Sequence, residues 1–456
     1  MAITRTSALG IASFLLVLAT VLLTDADQIA VRTTVISGLA IVFFATRILP
    51  ETLTAILCFL AFLALGSAPP EVIFSGFTSS GFWLIFSGLI IGAAITQTGL
   101  GTQIATRIFA RTGNSYQRVV VLLSLSGVGL GLLVPSTMPR IIVMMPVAVS
   151  LAATMGYKTG SRGQIGLAIA AATATLLPTY AILTANLPTI VHYSALETLY
   201  GIEPSYGKYL LAQLPVNIVR LGVLIGLVLS LTKAEPALAP QDAPDAKSPM
   251  TPPQTRLLFV LAIAIAFWAS DGIHGISPAW VALGVAAVVL WPASGFLAKD
   301  SMKTSIDMSP AIFLAAIFGL SAVARYLGID ALVANALIPR LGLTAGSDFQ
   351  NFYSMTGFSV LISHFTTAPA APVVLAPLAG SMADATGWPV FSVAMVQVIG
   401  ISTPLIPYQA PPLIVAMSLA YMPVSTLTRI CIALAIGVAV LGLPLTYLWW
   451  QVIGLL

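Results

Sequence analysis

Charged residues are scarce in this sequence: Asp, Glu, Lys and Arg make up 7% of the 456 residues, whereas hydrophobic residues make up 58%. A soluble domain carries roughly a quarter of charged residues, so this composition excludes a soluble protein and predicts one that crosses the membrane several times. The net charge is only +4, and the 19 basic residues lie mostly in short loops. We therefore expect the lipid bilayer as a partner and no nucleic acid.

Acidic residues are missing from the centres of the apolar segments, since all 15 lie in loops or near segment ends. A cation exchanger or proton pump usually needs a carboxylate inside the membrane, so this absence argues against both classes. Cysteine is also rare: Cys58 and Cys431 each lie in an apolar segment, which excludes a disulfide framework and a zinc site. The sequence has no HExxH motif and no paired aspartate, so neither an enzyme nor a cofactor is expected.

Apolar segments of about twenty residues, the length that a helix needs to cross a membrane, fill most of the chain. They predict an all-α membrane protein with about eleven transmembrane helices. Basic residues are concentrated on the side of the N-terminus, which places the N-terminus in the cytoplasm and the C-terminus in the periplasm. The predicted organisation is an N-terminal helix over 1–28, a first repeat over 29–232, a cytoplasmic linker over 233–255 and a second repeat over 256–450.

Two apolar segments are interrupted near their middles by proline and hydroxyl residues. The first, at about 118–157, is interrupted at 135–140, and the second, at about 352–384, is interrupted at 364–369. Pro146 and Pro377 follow the interruptions with matching small residues after them, which indicates an internal repeat. Lipid cannot hydrogen-bond an unwound backbone, so each segment is predicted to be a re-entrant helical hairpin whose tip lies in protein or in a water-filled cavity.

Each predicted hairpin is followed by a long apolar segment with a second proline-bearing interruption. These broken helices are predicted over 164–194, around Asn186, and over 389–421, around Gln409. The odd number of spans between the two copies inverts the second repeat relative to the first. Paired interruptions of this kind point to the substrate site of a secondary transporter, near the middle of the membrane.

Positive side chains are the exceptions to the apolar character of these segments, which suits an anionic ligand. Arg140 lies within one turn of the first tip, and two arrangements are open for it: contact with a bound anion, or capping by carbonyls of a neighbouring broken helix. His364 precedes the second tip and either contacts substrate or is a hydrogen-bonded structural residue. Arg220 follows Pro215 and Asn217 and is expected to extend outward to the membrane surface.

Hydroxyl and amide side chains lie where the half-helices are predicted to begin. Helix N-termini present free N–H groups and the positive end of the helix dipole to an anion. Unwound carbonyls at the two later interruptions offer ligands to a cation. The predicted substrate-binding residues are Ser136, Thr137, Arg140, Asn186, His364, Thr366, Thr367 and Gln409.

The stretch FSGFTSSGFWLIFSGLIIGAAITQTGL at 74–100, together with both hairpins and both later interruptions, resembles the divalent anion:sodium symporter family. That family contains bacterial relatives of sodium-coupled dicarboxylate and sulfate carriers and belongs to the ion transporter superfamily. The resemblance covers nearly the whole chain after the first span. It implies a bacterial inner membrane protein, a homodimer, and an elevator motion of a hairpin-bearing transport domain against a scaffold domain.

The family carries Ser-Asn-Thr at each tip, where Asn and Thr meet a substrate carboxylate and Ser and Asn help to hold sodium. The matching positions of this chain are Ser136-Thr137-Met138 and Thr367-Ala368-Pro369. The resemblance implies Na⁺ as the coupling ion. The candidate ion-binding residues are Ser136, Thr137, Ala185, Thr367, Ala368 and Ala410.

We therefore expect a secondary active transporter of a small anion, such as a dicarboxylate, sulfate or a related organic anion. Sodium coupling is the form that the resemblance implies. A proton-coupled or exchange-type anion carrier without sodium is the first alternative, because Arg140 would supply a fixed positive charge near the sodium position of the family. The second is a cation/proton antiporter or an arsenite-type exporter of the same superfamily, which the lack of central carboxylates disfavours.

Overall fold

The computed structural model describes residues 29–46, 48–101, 103–104, 115–134, 136–231, 249–366 and 368–456. All regular structure within these ranges is helical, which confirms the all-α class. The predicted N-terminal helix over 1–28, most of the predicted linker over 233–255, and Thr367 of the second tip lie outside the described residues.

The described residues of the first half of the chain form eight long helices whose ends follow local sequence signals. At the start of one of them, Ser79 accepts a hydrogen bond from the Phe82 N–H, and Gly99 with positive φ ends the same helix. The helices are α1 Ile29–Thr46, α2 Glu51–Leu65, α3 Ser80–Thr98, α4 Tyr116–Leu133, α5 Thr137–Thr154, α6 Arg162–Leu176, α7 Leu187–Tyr200 and α8 Tyr206–Leu231.

The second half of the chain continues with helices that often begin at proline, which suits a first turn because it lacks the N–H that would have no partner there. They are α9 Pro252–Ala269, α10 Pro278–Leu290, α11 Ser309–Tyr326, α12 Ile329–Leu337, α13 Asp348–Phe365, α14 Ala371–Thr386, α15 Val390–Ile401, α16 Pro411–Ala420, α17 Val424–Gly437 and α18 Leu443–Val452. A π-helical turn, Val438–Gly442, joins the last two without a break.

Eight helical stretches in the described part of the chain are long and apolar enough to cross a membrane. They are α3, α4, α5, α6 extended to Ala181, α8, α9, α11 and the run Val424–Val452. Shorter apolar helices include α1, α2, α10, α15 and α16. The total of eleven crossings stays a prediction, because the first predicted span lies outside the described residues.

The backbone leaves regular α-helical geometry at four places that matter for the site. Between α4 and α5 the chain is extended at Val134 and Ser136, and between α13 and α14 it turns through Ala368. Between α6 and α7 it forms a 3₁₀ turn, Pro178–Ala181, then a turn closed by the Ala185 N–H donating to Ile182 O at 3.0 Å, and it is extended at Asn186. Between α15 and α16 the corresponding 3₁₀ turn is Pro407–Gln409.

The helices around these four breaks pack in a crossed pattern. The pair α4 and α5 packs on α6 and also on α16, whereas the pair α13 and α14 packs on α15 and also on α7. Glycine permits the close approach: a Cβ on Gly127 of α4 would lie 2.7 Å from Thr175 Oγ1, and one on Gly400 of α15 would lie 2.3 Å from Ser359 Cβ. The crossing brings both tips and both later breaks to the same region.

A second set of helices faces this group. Within it, α2 packs on α1 and α11, and α10 packs on α3 and α9. A Cβ on Gly76 would lie 2.2 Å from Ala315 O, and a Cβ on Gly319 would lie 2.2 Å from Ile73 O, so backbone touches backbone at both positions. The close packing of α11 on the segment before α3 makes a firm wall opposite the four breaks.

Candidate functional site

A cavity of about 180 Å³ lies where the four breaks meet the facing wall. The breaks line it with Ser136, Thr137, Met138, Leu187, Pro188, Ala368, Pro369, Ala410, Pro411 and Pro412. The other lining residues are Phe44, Glu51, Ile85, Leu89, Leu176, Tyr180, Ile190, Pro310 and Phe313. The cavity thus lies between the crossed helices on one side and α1, α2, α3 and α11 on the other.

Four helix N-termini converge on this cavity. Thr137 begins α5, Leu187 begins α7 and Pro411 begins α16, and all three line the cavity. The fourth contribution is Ala368 and Pro369, which lead into α14. Each helix N-terminus carries a partial positive charge and N–H groups without intrahelical partners, so the assembled ends favour a negative ligand.

The cavity wall is mainly apolar, with few polar side chains in the described residues that line it. Ser136 and Thr137 belong to the first tip, and Tyr180 belongs to the 3₁₀ turn after α6. Glu51, the first residue of α2, adds one half-buried carboxylate from the facing wall. Sequence reasoning missed Tyr180 and Glu51, because one follows an apolar helix and the other starts one, and neither forms part of a motif.

Arg140 is fully buried behind the first tip, with 0% of its surface exposed. Its Nε donates to Ser136 O at 3.1 Å, and its Nη2 donates to Ala185 O at 2.6 Å, to Thr137 Oγ1 at 3.0 Å and to Asn186 Oδ1 at 3.1 Å. All four acceptors are neutral oxygens. The break after α6 therefore caps part of the guanidinium, whereas Nη1 is buried without a hydrogen-bond partner among the described residues. Contact of Arg140 with a bound anion stays a prediction.

Asn186 connects the guanidinium to the end of α6. Its Oδ1 accepts a hydrogen bond from the Thr137 hydroxyl at 2.7 Å, and its Nδ2 donates to Thr179 Oγ1 at 3.1 Å. Thr179 in turn donates to Leu176 O at 2.7 Å. Arg140 and Asn186 do not line the cavity but hydrogen-bond to residues that do, Arg140 to Ser136 and Thr137 and Asn186 to Thr137.

Gln409 organises the second tip with neutral groups. Its Oε1 accepts hydrogen bonds from the N–H groups of Leu405 at 2.7 Å and Ile406 at 3.0 Å, and its Nε2 donates to Ser363 O at 2.8 Å. Its backbone carbonyl accepts from the Ala368 N–H at 2.9 Å. Gln409 is buried and stays out of the cavity lining, whereas its neighbour Ala410 lines the cavity.

The other predicted residues of the second tip lie away from the cavity. The Thr366 hydroxyl, directly after α13, donates back to Ile362 O in the last turn of that helix at 2.9 Å. His364 is half-buried, and its backbone carbonyl accepts a hydrogen bond from the Tyr408 hydroxyl. Neither side chain is among the residues that line the cavity, so the second tip contributes Ala368 and Pro369 instead.

The expectation that Arg220 extends to the membrane surface is wrong. Its side chain is 1% exposed and lies between the C-terminal ends of α6 and α15. It donates to Leu177 O at 3.3 Å, to Ser402 Oγ at 3.1 Å and to Thr403 Oγ1 at 3.1 Å. Within α8 it also donates to Asn217 Oδ1 at 2.5 Å. Most of these partners lie far away in the sequence, so a snorkelling argument from α8 alone could not find them.

Comparison of the sequence with known protein families identifies the family of this chain. A sequence model described as "Sodium:sulfate symporter transmembrane region" matches residues 6–456. The chain belongs to this family. The sodium:sulfate symporter family, which is the divalent anion:sodium symporter family of the ion transporter superfamily, consists of membrane transporters. The chain is therefore a multi-pass membrane protein of a bacterial transporter family.

Curated relatives agree with membership of the sodium:sulfate symporter family. A "Membrane protein" of Cupriavidus necator is 26% identical over 355 residues, which cover 74% of this chain and 68% of the relative. An "Uncharacterized transporter" of Haemophilus influenzae is 23% identical over 439 residues, which cover 91% of this chain and 92% of the relative. Both relatives match over most of their own length.

Two solved structures share the overall fold of this symporter-family chain. The YdaH transporter of Alcanivorax borkumensis aligns with a TM-score of 0.61 at 15% identity, over 89% of this chain and 99% of that one. MtrF of Neisseria gonorrhoeae, described as one of a class of antimetabolite efflux pumps, aligns with a TM-score of 0.59 at 13% identity, over 90% and 96%. At these identities the likeness concerns the fold alone.

Proposed function

We propose that this protein is a secondary active transporter of small anions and that the cavity between the four breaks is its substrate site. The convergence of four helix N-termini on one cavity is the observation that carries the proposal. Half-helix N-termini at the interface of two repeats are the usual anion site in transporters built from broken helices. The positive ends of the helix dipoles stabilise the anion and so compensate for the hydration that it loses on entering the membrane.

A small divalent anion with an apolar body, such as a dicarboxylate, suits this site best. The cavity of about 180 Å³ is small, and its wall includes Ile85, Leu89 and Phe313, which suit a short hydrocarbon chain. Two buried guanidinium groups, on Arg140 and Arg220, donate to Ala185 O and Leu177 O of the segment between α6 and α7. Their two charges match the two charges of a dicarboxylate or of sulfate.

The proposed transport cycle moves the crossed helices against the facing wall. The helices α4 to α7 and α13 to α16 pack on one another, and the cavity separates their tips from α1, α2, α3 and α11. A joint sliding of the hairpin-bearing group would expose the cavity to either side of the membrane. This elevator motion, a homodimer that anchors the facing wall, and an inner membrane location with a cytoplasmic N-terminus belong to the same proposal.

Binding of anions by the purified protein tests this function. We expect succinate to raise the thermal unfolding midpoint in a saturable manner, because a ligand that binds only the folded state stabilises it by mass action. Sulfate, at equal ionic strength, tests whether the site needs a hydrocarbon chain between the two charges. Acetate tests whether it needs the second charge. Counterflow uptake of labelled succinate into proteoliposomes then separates a carrier from a channel. The absence of both saturable stabilisation and counterflow with every probe would refute the proposal.

Ser136→Ala gives the sharpest variant for this test, because Ser136 lines the cavity at the start of α5. Loss of a hydrogen bond to a charged ligand costs about 1.5–3 kcal/mol, so the succinate affinity should fall about tenfold or more. Ser230→Ala is the matched control, since Ser230 is exposed on α8 and donates to Leu227 O. Equal affinities of the two variants would argue against the cavity as the site.

A proton-coupled anion carrier is the second candidate, because Glu51 places a carboxylate in the cavity wall. Carboxylates within the membrane are the usual proton relays of pumps and transporters. Glu51→Gln should then abolish the stimulation of succinate uptake by an inward proton gradient. If the proton gradient stimulates uptake by the variant as before, Glu51 is not the proton carrier. This outcome would not contradict the proposed anion site.

A further inference from the structure

Broken helices expose negative ends as well as positive ones. Unwound carbonyls and half-helix C-termini are the groups that hold coupling cations in transporters of this construction. In this chain, N–H and O–H donors of the protein already contact several of these oxygens beside the cavity. The residues that supply the donors are Arg140, Tyr209, Arg220, Tyr408 and Gln409.

The first tip and the break after α6 meet around the guanidinium of Arg140. This group contacts Ser136 O, Ala185 O and Asn186 Oδ1 at 2.6–3.1 Å, which are three oxygens from two different segments. Three converging neutral oxygens of this kind make a typical set of cation ligands. The positively charged guanidinium of Arg140 therefore already occupies the position between these three oxygens.

The C-terminal ends of the first halves of both broken helices meet around Arg220. Its Nη1 lies 3.3 Å from Leu177 O, at the end of α6, and its Nη2 lies 3.1 Å from both Ser402 Oγ and Thr403 Oγ1, at the end of α15. Asn217 steadies the guanidinium, and its own Nδ2 donates to Gln213 O at 2.8 Å. One guanidinium thus neutralises the negative ends of two helix dipoles.

Neutral donors cap the negative end of α13 at the second tip. Near the C-terminus of α13, Ser363 O accepts from Gln409 Nε2 and His364 O accepts from the Tyr408 hydroxyl. Tyr180 O, in the break after α6, accepts from the Tyr209 hydroxyl at 2.9 Å. These capped carbonyls need no ion to satisfy them.

Sodium, which the family name implies as coupling ion, does not fit the first tip or the C-terminal ends of α6 and α15. A sodium ion at the oxygens around Arg140 or Arg220 would lie within a few ångströms of a buried like charge, where the low dielectric makes the repulsion strong. The candidate ligands Ser136, Thr137 and Ala185 all belong to the set that Arg140 engages. The mismatch therefore affects the sodium position expected at the first tip.

From this mismatch we infer that the carrier binds its anion without sodium, because Arg140 and Arg220 hold permanently the positive charge that a coupling cation would bring. One consequence of the inference, that uptake needs no sodium gradient, rests on the proposed anion transport. Its structural part concerns the protein alone. A sodium-binding measurement without any anion can therefore test it separately.

The first experiment titrates sodium chloride against choline chloride at constant ionic strength and follows the thermal unfolding midpoint of the purified full-length protein. We expect the midpoint to stay constant. A saturable rise with sodium would overturn the inference, whichever anion the carrier transports. The same titration with succinate present should give the same apparent succinate affinity in both salts, within about twofold, and a steep dependence on sodium would also overturn it.

The second experiment asks whether Arg140 occupies a cation position. Arg140→Ala removes the guanidinium from Ser136 O, Ala185 O and Asn186 Oδ1, so this variant should gain a sodium-dependent rise of the midpoint that the unmodified protein lacks. Arg140→Lys keeps a positive charge there and should remain indifferent to sodium. A folded alanine variant that is also indifferent to sodium, or a lysine variant that responds to it, would overturn the replacement of the cation by Arg140.

Discussion

Substitution of Gly131 by alanine tests the position of the Arg140 guanidinium without altering a polar group. A Cβ at Gly131 of α4 would lie 2.7 Å from Arg140 Nη1, 2.7 Å from Thr179 Cγ2 and 3.1 Å from Thr179 Cβ. Both neighbours are tied to Asn186, by hydrogen bonds at 3.1 Å each, so neither can move without disturbing the network. The extra methyl group must therefore displace the group that positions Thr137.

The size of this effect follows from two opposing terms. Overpacking of a filled interior costs about 1–3 kcal/mol, and replacement of glycine by alanine inside a helix returns about 1 kcal/mol. Gly131→Ala should therefore lower the stability by up to about 2 kcal/mol and weaken succinate binding. Gly129→Ala on the same helix meets nothing within 4 Å and should gain about 1 kcal/mol.

The assay compares the two variants by thermal unfolding in detergent and by the concentration of succinate that gives half-maximal stabilisation. We expect Gly131→Ala to unfold at a lower temperature than the unmodified protein and Gly129→Ala to unfold at the same or a higher temperature. If both variants keep the stability and the succinate affinity of the unmodified protein, the guanidinium does not lie against Gly131, and the account of the first tip fails.

Two further substitutions test the second tip and the facing wall. Gln409→Leu leaves the N–H groups of Leu405 and Ile406 without their acceptor, and each unsatisfied buried group costs about 1–3 kcal/mol, so the unfolding midpoint should fall clearly. Gly319→Ala places a Cβ 2.2 Å from Ile73 O, and because a backbone atom cannot turn away, the thermal midpoint or the yield of folded protein should drop.

Matched controls separate these effects from the change of residue type. Gln451 is exposed on α18, so Gln451→Leu should leave the midpoint nearly unchanged. A Cβ added at Gly284 of α10 would meet nothing within 4 Å, so Gly284→Ala should be neutral or stabilising. Equal losses in a variant and its control would contradict the contact that the variant is meant to break.

Proline and polar residues in an apolar sequence located the breaks, because a helix cannot continue through proline without losing a hydrogen bond. The cavity is indeed lined by Ser136, Thr137, Ala368 and Ala410, each of which belongs to a break that the sequence marks. The roles of Ser136 and Thr137 in substrate binding, and of Ala368 and Ala410 in ion binding, stay predictions. The sequence therefore predicted the location of the cavity.

Side-chain direction was beyond the sequence. The sequence does not show that Arg140 lies against Gly131 of α4 and donates to Ala185 O, because these groups belong to separate segments. The partners of Arg220 include Ser402, which follows it by 182 positions. Local reasoning treats a lone arginine in a helix as a snorkelling residue, because it cannot see acceptors that another helix brings alongside. For the same reason it could not separate residues that face the cavity from those that support it.

The fixed charge on Arg140 makes the electrical balance of the transport cycle depend on occupancy. A bound dicarboxylate carries two negative charges and outweighs the single positive charge of Arg140, whereas an unloaded site carries the arginine charge alone. A membrane potential acts on each elementary charge that crosses with about 2.3 kcal/mol per 100 mV. If the first tip travels across the bilayer, an inside-negative voltage pulls the empty site towards the cytoplasm, and its return to the outside becomes far easier when it carries an anion back.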